Sequence, residues 1–363
     1  MFGEHLFQLK YGDGMKSEEI AKIAGVSRST VSRVINDYPN VPEDTRAKVM
    51  KVIREYHYEP NTSARVLAGK RTNTIGLFLF SIYDTKSPFR IYGNNYFAPF
   101  VDAFVDIGNY KGYYVLVHTI YNQEECRRIT QTFSQKRIDG GIIVGTERNR
   151  EIDSIVSQLS YPLALVDYDP GEIKRIMRPD AKIAVINSDD EKGINECVDH
   201  LVSLGHSVIG LIEGRSTTFS GLKRREYFIK RMAFHNLPID NRHLLKGDFT
   251  GRTSAEVIEE LIKGGNLPTA IISCNDEMAL AAMETFKCHG IRIPEDLSVI
   301  GYDDAPASSI VKPSLTTVRI PFYDMAQKAV ESLSGLIDSN EAGLELYKMD
   351  VKLVIRESCA ERK

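Results

Sequence analysis

Residues 18–36, which read EEIAKIAGVSRSTVSRVIN, constrain the fold of this chain more than any other stretch. Apolar residues recur three and four positions apart in the first half, which is typical of one buried side of a short helix. Gly25 then interrupts the pattern, and a glycine just past a helix can adopt the left-handed backbone without a Cβ clash. Ser27 can cap a second helix that has its own apolar stripe. The pattern predicts a helix-turn-helix, and a surface helical hairpin with solvated polar residues is the alternative.

The outer face of the second helix consists of side chains whose tips form hydrogen bonds. An arginine can donate in a fork to O6 and N7 of guanine, while hydroxyl and amide groups reach phosphates or base edges. Such side chains near the start of a second helix are typical of a recognition helix in the major groove of DNA. The candidate DNA-contacting residues in this stretch are Ser27, Arg28, Ser29, Thr30, Ser32, Arg33 and Asn36.

Positive charge is concentrated around this motif, although the formal net charge of the whole chain is -3. Residues 15–71 contain eleven Lys and Arg and seven Asp and Glu, so this segment carries +4 and the remainder carries -7. Phosphate binding requires a basic region of this kind. A solvated basic face would give the same balance, so the charge supports DNA binding only together with the motif.

The length of 363 residues suits two or three domains. The sequence has no apolar run of about 18 residues and no basic-then-apolar leader, so we expect a cytoplasmic protein with no membrane partner. Five cysteines are widely spaced and form no CxxC pair. This usage fits a reducing compartment and argues against a zinc site or a disulfide framework, and we expect neither a metal nor a cofactor.

Three further segments surround the motif. Residues 1–14 have no clear period and are interpreted as an N-terminal extension. Residues 42–56, PEDTRAKVMKVIREY, have a proline and acids in their first turn and then an apolar stripe, which predicts a third helix. Residues 15–59 are therefore predicted to form a three-helix DNA-binding domain, followed by a short helical linker over residues 60–73.

The segments GVSRSTVSRVIN, the third helix, NTSARVLAGK (61–70) and TIGL (74–77) follow one another in the order and spacing of a known family. In these respects the chain resembles the LacI/GalR family of bacterial transcription regulators. The resemblance implies that residues 60–73 form a hinge helix only when a dimer occupies its operator. It also implies that Leu67 is an apolar wedge pushed into the minor groove, with Asn61 and Ala64 on the same DNA-contacting helix. An ordinary core leucine is the alternative for Leu67.

From residue 74 onward, strand-like apolar runs alternate with amphipathic segments. The runs begin near residues 74, 113, 140, 163, 183, 208, 270 and 297. Such alternation predicts an α/β fold with parallel sheets built from βαβ units. The resemblance implies that residues 74–363 form a two-lobed, periplasmic-binding-protein-like core for effector binding and dimerisation, with lobe crossovers near residues 188, 305 and 319.

Polar residues that follow the predicted strands are the candidates for an effector site. Ligands of open α/β sheets bind beyond the carboxyl ends of the strands. Asn275 follows AIISC, Asp303 follows VIGY, and Arg224 lies in SGLKRREYF after another strand. The resemblance implies that these three bind a small effector, because an arginine, an amide and a carboxylate can each bind vicinal hydroxyls of a sugar. Capping of a strand end is the alternative for Asn275 and Asp303.

Aromatic residues can supply a stacking face for a sugar ring. Phe249 in GDF, and Tyr96 and Phe97 in NNYF, occupy the family's positions for such a residue, and core packing is the alternative. Glu147, after GGIIVG, is a further candidate. The segments 83–95 and 171–182 are longer than usual for the family, and the second is basic, so an anionic effector such as a sugar phosphate stays open.

The predicted function is that of a repressor of carbohydrate uptake or catabolism genes, relieved by a sugar or sugar phosphate. No leucine heptad follows the core, so a homodimer on a palindromic operator is expected. One alternative is a catabolite-control-like regulator that uses a phosphorylated phosphocarrier protein as corepressor. Another is a transport-type sugar-binding receptor. An enzyme is disfavoured and no catalytic residue is assigned, because GxSxG, P-loop, HExxH and strand-linked GxGxxG motifs are absent.

Overall fold

The computed structural model describes residues 15–35, 37–58, 71–81, 96–145 and 150–362. The chain divides into two compact units, Met1–Thr72 and Asn73–Lys363. Several predictions fall outside the described residues: those for the extension 1–14, for nearly all of the hinge helix, and for Asn36, Asn61, Ala64, Leu67 and Glu147. In the ranges that are described, no helix is both long and apolar enough to cross a membrane.

The first unit contains the three predicted helices, α1 (Ser17–Ala24), α2 (Arg28–Ile35) and α3 (Glu43–Glu55). Gly25 has φ +67°, the left-handed conformation that lets the chain turn sharply after α1. The Ser27 hydroxyl accepts a hydrogen bond of 3.1 Å from the Thr30 amide and so caps α2. The three helices enclose a small aliphatic core made of Ile20, Ala21, Val31, Val34, Val41, Val49 and Val52.

The second unit is built around two six-stranded sheets. Its strands are β1 (Thr74–Phe80), β2 (Tyr114–Ile120), β3 (Gly140–Val144), β4 (Leu163–Val166), β5 (Lys182–Ser188), β6 (Ile209–Ile212), β7 (Leu244–Leu245), β8 (Ala270–Ser273), β9 (Ser298–Asp303), β10 (Thr316–Arg319), β11 (Gly343–Met349) and β12 (Lys352–Val354). The first sheet has the order β11-β5-β4-β3-β1-β2 and is parallel throughout. The second has the order β12-β10-β9-β8-β6-β7, and β12 is antiparallel to its neighbour. We call each sheet with its helices a lobe.

Helices connect and cover the strands. They are α4 (Phe97–Tyr110), α5 (Arg127–Ser134), α6 (Arg150–Gln158), α7 (Pro170–Ile176), α8 (Asp190–Ser203), α9 (Phe219–Phe234), α10 (Gly251–Lys263), α11 (Asp276–Cys288), α12 (Pro306–Ile310) and α13 (Phe322–Asp338). All residues of β3, β4, β6, β8 and β9 are buried. Strands covered on both faces are almost continuously apolar, which is why the sequence reveals them as unbroken runs.

The chain passes between the lobes at three places. It leaves the first sheet between β5 and α8, returns between β10 and α13, and crosses again between β11 and β12. The crossover expected near residue 305 is wrong, because β9 and β10 are neighbours in the second sheet. The reason is local: Asp303 and Asp304 have φ of 118° and 59°, so the chain turns at the end of β9 and stays in the same lobe.

Candidate functional site

The outer face of α2 consists of exposed polar side chains, as the sequence predicts. Ser27, Arg28, Ser29, Ser32 and Arg33 are exposed, and Thr30 is half-buried. The Ser27 hydroxyl oxygen lies 2.7 Å from that of Ser29 and 2.8 Å from that of Thr30. These contacts join only neighbours on the same face, so a DNA backbone or base edge can replace them at small cost.

The two arginines of this face differ in their partners. Arg28 donates from Nε to the Ser17 hydroxyl over 3.2 Å, and its Nη1 lies 3.3 Å from the Glu18 carboxylate. Side chains of that ion pair are about two-thirds exposed, 66% and 68%, so its contribution to stability is small. Within the described ranges, the side chain of Arg33 forms neither a hydrogen bond nor an ion pair. Its fork of donors is therefore available to a partner.

Arg224 is the centre of a buried network in the second lobe. It lies on α9 and is 3% exposed. Its Nη1 donates to the Cys274 carbonyl over 2.5 Å, and its Nη2 donates to Asp190 Oδ1 over 3.2 Å. The guanidinium carbon lies 3.8 Å from the centre of the Tyr302 ring. Nε is buried and has no hydrogen-bond partner among the described residues. A hydroxyl oxygen of a ligand would satisfy that remaining donor.

Asp190 and Tyr302 complete this network, and sequence reasoning missed both. Asp190 Oδ1 also accepts from the Tyr302 hydroxyl over 2.9 Å and from the Ser188 hydroxyl over 2.9 Å. Burial by itself would lower the pKa of Arg224, but Asp190, Tyr302 and Asp303 together outweigh it and the pKa is raised. Arg224 is therefore a permanent cation in the interior of the protein.

The carboxyl group of Asp303, at the end of β9, is shifted toward its neutral form. It is 5% exposed. Burial raises the pKa of its carboxyl group well above the usual range; the charge of Arg224 opposes this shift, and Asp276 and Asp190 add to it. A neutral carboxyl group can both donate and accept hydrogen bonds, which suits a ligand hydroxyl.

Asp276, which follows Asn275 in the sequence, holds the β9–β10 connection. Its carboxylate accepts hydrogen bonds from the Thr317 hydroxyl (2.6 Å), the Ala305 amide (2.7 Å) and the Ser308 hydroxyl (2.7 Å). The side chain is fully buried, so these three donors replace its hydration. Asp276 therefore positions the segment after Asp303 and has no exposed oxygen to offer a ligand.

Asn275 serves as the N-cap of α11. Its Oδ1 accepts from the Met278 amide over 3.0 Å, and its Nδ2 donates to the Phe249 carbonyl over 3.0 Å. Phe249 has φ +69° and packs its ring against Gly214, where a Cβ would lie 2.3 Å from a ring atom. The amide therefore holds Phe249 in place, and the capping alternative describes its contacts in this structure.

Tyr96 and Phe97 are adjacent but have different surroundings. The Tyr96 ring makes edge contacts with Phe97, Phe100 and Phe322, with centroids 5.3 to 5.7 Å apart. Burial and then the charge of Asp167 raise the pKa of its hydroxyl, which also lies in the fields of Arg224 and Asp303. Tyr96 therefore belongs with the polar cluster. Phe97 is 8% exposed and packs in the first lobe's core.

Asp167 joins the two lobes directly. It follows β4 in the first lobe, has φ +62°, and accepts from the amide (3.0 Å) and the hydroxyl (2.8 Å) of Ser220. Ser220 lies in the first turn of α9 in the second lobe, where backbone N–H groups favour a negative partner. Burial and the nearby Asp190 nevertheless raise the pKa of Asp167 to about 6. Sequence reasoning missed this pair, although Asp167 follows the apolar run LALV.

Comparisons with known proteins agree with this architecture. A family model described as bacterial regulatory proteins, lacI family, matches residues 18–61, and a periplasmic binding protein-like domain matches residues 198–359. The probable HTH-type transcriptional repressor ExuR of Bacillus subtilis (strain 168) is 30% identical over 345 residues, covering 94% of this chain and 97% of that protein. The HTH-type transcriptional repressor PurR of Haemophilus influenzae (strain PittEE) is 31% identical over 346 residues, with shares of 94% and 97%.

A solved structure is similar over almost the whole length. The lac repressor dimer bound to operator and the anti-inducer ONPF has a TM-score of 0.77 and 28% identity, covering 96% of this chain and 100% of that chain. Both the helix-turn-helix and the two-lobed unit therefore have counterparts in a single solved protein.

Proposed function

Because this chain belongs to the LacI family and is a DNA-binding transcriptional repressor, we propose that a small neutral carbohydrate bound between its lobes relieves repression. The genes it controls would serve carbohydrate uptake or catabolism. It would act in the cytoplasm as a homodimer on a palindromic operator, since two-fold symmetry presents two recognition helices to two half-sites. The observation that carries the proposal is the cluster of Arg224, Asp190, Asp303, Tyr96 and Asp167 where the carboxyl ends of both sheets meet.

The charges of this cluster favour a neutral ligand. Three carboxyl groups, those of Asp167, Asp190 and Asp303, accompany the single guanidinium of Arg224. Arg224 already pairs with Asp190, so the cluster offers an added phosphate no uncompensated cation. A neutral sugar instead offers hydroxyls that pair with Arg224 Nε and with the Asp303 carboxyl group.

The basic segment near residue 175 gives no support to a phosphate ligand. Arg175 Nη2 lies 3.2 Å from the Glu172 carboxylate, and Arg178 Nε lies 2.7 Å from that of Asp180. These two exposed cations are therefore compensated by local acids, and the one exposed lysine left over, Lys174, does not make a phosphate site by itself. Of the two effector classes that the sequence leaves open, we favour the neutral sugar over the sugar phosphate.

The Asp167–Ser220 contact provides a route by which such a ligand could act. A ligand hydroxyl that competes for either partner would change how strongly the lobes are held together. An effector changes an equilibrium only through its different affinity for two arrangements, so we propose that it binds one lobe closure better than the other. The favoured closure would lower the affinity of the dimer for its operator.

We retain the proposal that residues 60–73 form an operator-dependent hinge helix in which Asn61, Ala64 and Leu67 meet the minor groove. Leu67→Ala removes the apolar wedge and should weaken binding to the specific operator, because unstacking a base step needs an inserted side chain. Band shifts with the operator and with a scrambled duplex measure this. An unchanged operator affinity in a folded Leu67→Ala protein would remove the wedge from the proposal.

A thermal-shift screen tests the effector class. A ligand that binds only the native protein raises the melting temperature by mass action. We expect a neutral mono- or oligosaccharide to raise it and to weaken operator binding in a band shift. The neutral-effector proposal fails if only phosphorylated sugars do so. A protein that needs a phosphorylated phosphocarrier protein for operator binding would instead point to corepression.

A further inference from the structure

The first lobe carries a short basic segment without any acid. Residues 127–138 read RRITQTFSQKRI and contain four Arg and Lys and no Asp or Glu. Outside residues 15–71 the chain carries a net charge of -7, so the positive charge of this segment is opposite in sign to that of the sequence around it. It comprises α5 and the turn that leads from α5 into β3.

This turn lies beside the place where the linker joins the first sheet. The Asn73 amide donates to Asp139 Oδ2 over 2.7 Å, and the Asn73 carbonyl accepts from the Tyr114 amide over 2.8 Å. Because β1, β2 and β3 are parallel, their starts share one edge of the sheet. Lys136 and Arg137 immediately precede the start of β3 on that edge. We call Asn73, Lys136 and Arg137 the linker edge.

Lys136 is an unusual residue for its backbone conformation. It has φ +51° and follows α5, a position that favours glycine because a Cβ there is strained by about 1 kcal/mol. Its amide donates to the Phe133 carbonyl over 2.8 Å, which closes the end of the helix. Glycine would fit this backbone conformation at least as well as lysine. The long cationic side chain at this position therefore suggests a role other than stabilising the fold.

The charges of the linker edge are not neutralised. Lys136 and Arg137 are exposed, and neither has a hydrogen bond or an ion pair from its side chain within the described ranges. The field of Arg137 also reaches a neighbouring strand: burial, then Arg128 and Arg137, lower the pKa of His118 on β2. The linker edge therefore presents two cations against one nearby carboxylate, that of Asp139, which already accepts from the Asn73 amide, and the balance is positive.

The linker limits how far this edge can be from bound DNA. Thirteen residue steps separate Tyr58, the last described residue of the helix-turn-helix unit, from Arg71. A fully extended chain of that length spans at most about 47 Å, and a helical one only about 20 Å. Duplex DNA presents one phosphate charge per about 1.7 Å of its axis. A linker of this length permits contact between the linker edge and the duplex that α2 binds, and the proposal below requires that contact.

We infer that Lys136 and Arg137 contact the phosphate backbone of the duplex that flanks the recognition helices, as a second, sequence-independent anchor on DNA. The inference rests on the proposed function, because it requires operator binding. It adds a contact from the effector-binding unit, whereas the helix-turn-helix supplies base readout. Phosphate contacts position a protein without reading sequence, so this anchor would strengthen binding to every duplex alike.

The test is the salt dependence of DNA binding by the full-length double variant Lys136→Gly/Arg137→Gln. Glycine suits the left-handed backbone at residue 136, so this variant should melt no lower than the wild type. The matched control is Lys246→Gln/Lys352→Gln, which removes the same charge from two exposed second-lobe lysines. Fluorescence anisotropy then gives the affinity for an operator duplex and for a scrambled duplex between 50 and 200 mM salt.

Each phosphate contact contributes about 0.9 to the slope of log affinity against log salt. Loss of two contacts in each protomer of a dimer should therefore reduce the slope by about 3.6, which makes the affinity loss over this range roughly 150-fold smaller. The ratio of operator to scrambled affinity should stay constant. A slope equal to that of the wild type, or an equal change in the control, would overturn the anchor. Absence of operator preference in the wild type would instead remove the proposed function itself.

Discussion

The outer face of α2 and the interlobe cluster both rely on arginine, but they use it in opposite ways. Arg28 and Arg33 lie in solvent and hold few or weak partners. Arg224 is buried and binds Asp190, the Cys274 carbonyl and the Tyr302 ring at once. The first arrangement keeps donors available for DNA at almost no cost to folding. The second makes the ligand site part of the core, so ligand binding and stability are linked there.

The largest effect that this comparison predicts is on stability. Arg224→Ala should destabilise the protein by roughly 3–5 kcal/mol, because it leaves the buried carboxylate of Asp190 without its cation. The adjacent Arg225→Ala is the matched control. Arg225 forms a partly exposed ion pair of 2.6 Å with Glu213, so its loss should cost about 1 kcal/mol or less. Urea unfolding measures the unfolding free energy of both variants. Equal losses would contradict the prediction that buried Arg224 contributes more to stability than partly exposed Arg225.

A smaller effect, on DNA binding alone, is expected from the exposed face. Arg33→Ala should weaken operator binding by about 1–3 kcal/mol if its fork reads a guanine. Its effect on unfolding should stay within about 0.5 kcal/mol, since its exposed side chain forms no hydrogen bond or ion pair with a described residue. Arg54→Ala on α3, whose Nε donates to the Met50 carbonyl over 3.2 Å, serves as an exposed control. If anisotropy titrations show the same loss of operator affinity in both variants, Arg33 does not read a base.

A third change separates the two hydrogen bonds of the Asn275 side chain. Asn275→Ala should cost about 1 kcal/mol in the unfolding free energy, because the Met278 amide loses its cap. Asn275→Asp keeps a capping oxygen but cannot donate to the Phe249 carbonyl. We expect the aspartate variant to recover most of the stability. If it is as unstable as the alanine variant, the hydrogen bond to Phe249 matters more than the cap.

The smallest expected effect is a pH dependence at the contact between the lobes. The pKa of Asp167 is raised to about 6, so the native state holds its proton at pH values where the unfolded chain has already lost it. Stability from this group is therefore greatest at low pH and falls as the pH rises from about 4 to about 6. Asn at position 167 stays neutral throughout.

The stability of Asp167→Asn relative to the wild type should accordingly increase over that interval, by on the order of 1 kcal/mol. Urea unfolding of both proteins at pH 4.5 and pH 7 gives this difference, and other titrating groups cancel in the comparison. A constant difference between the two proteins at both pH values would contradict the raised pKa.

The sequence predicts strands that have a continuous apolar run well, and short or polar strands poorly. Strands such as β3 and β9 were recognisable because helices cover both of their faces, which requires unbroken apolar residues. The four strands that escaped prediction are β7, β10, β11 and β12. β7 has two residues, and β11 lies at a sheet edge and reads GLELYKM, with half-buried and exposed residues intermixed. A strand of that kind has no continuous apolar run to reveal it.

A site residue is predictable from the sequence where it follows an apolar run that forms a strand. Arg224 and Asp303 were identified by their positions after apolar runs and by the family resemblance. Asp190 was missed because it follows a crossover between lobes, and its partner Tyr302 is 112 residues away. Asp167 and Ser220 are 53 residues apart and meet only when the lobes come together. Such pairings depend on tertiary structure, which local periodicity does not encode.

The most direct test of the account is reciprocal linkage between the two regions. Operator affinity is measured with and without a saturating neutral sugar, and sugar affinity is measured with and without saturating operator. If ligand binding between the lobes controls DNA binding, both affinities should fall by the same factor, because a coupling free energy is shared by the two sites. An operator affinity that is unchanged when the sugar saturates its site would contradict the account.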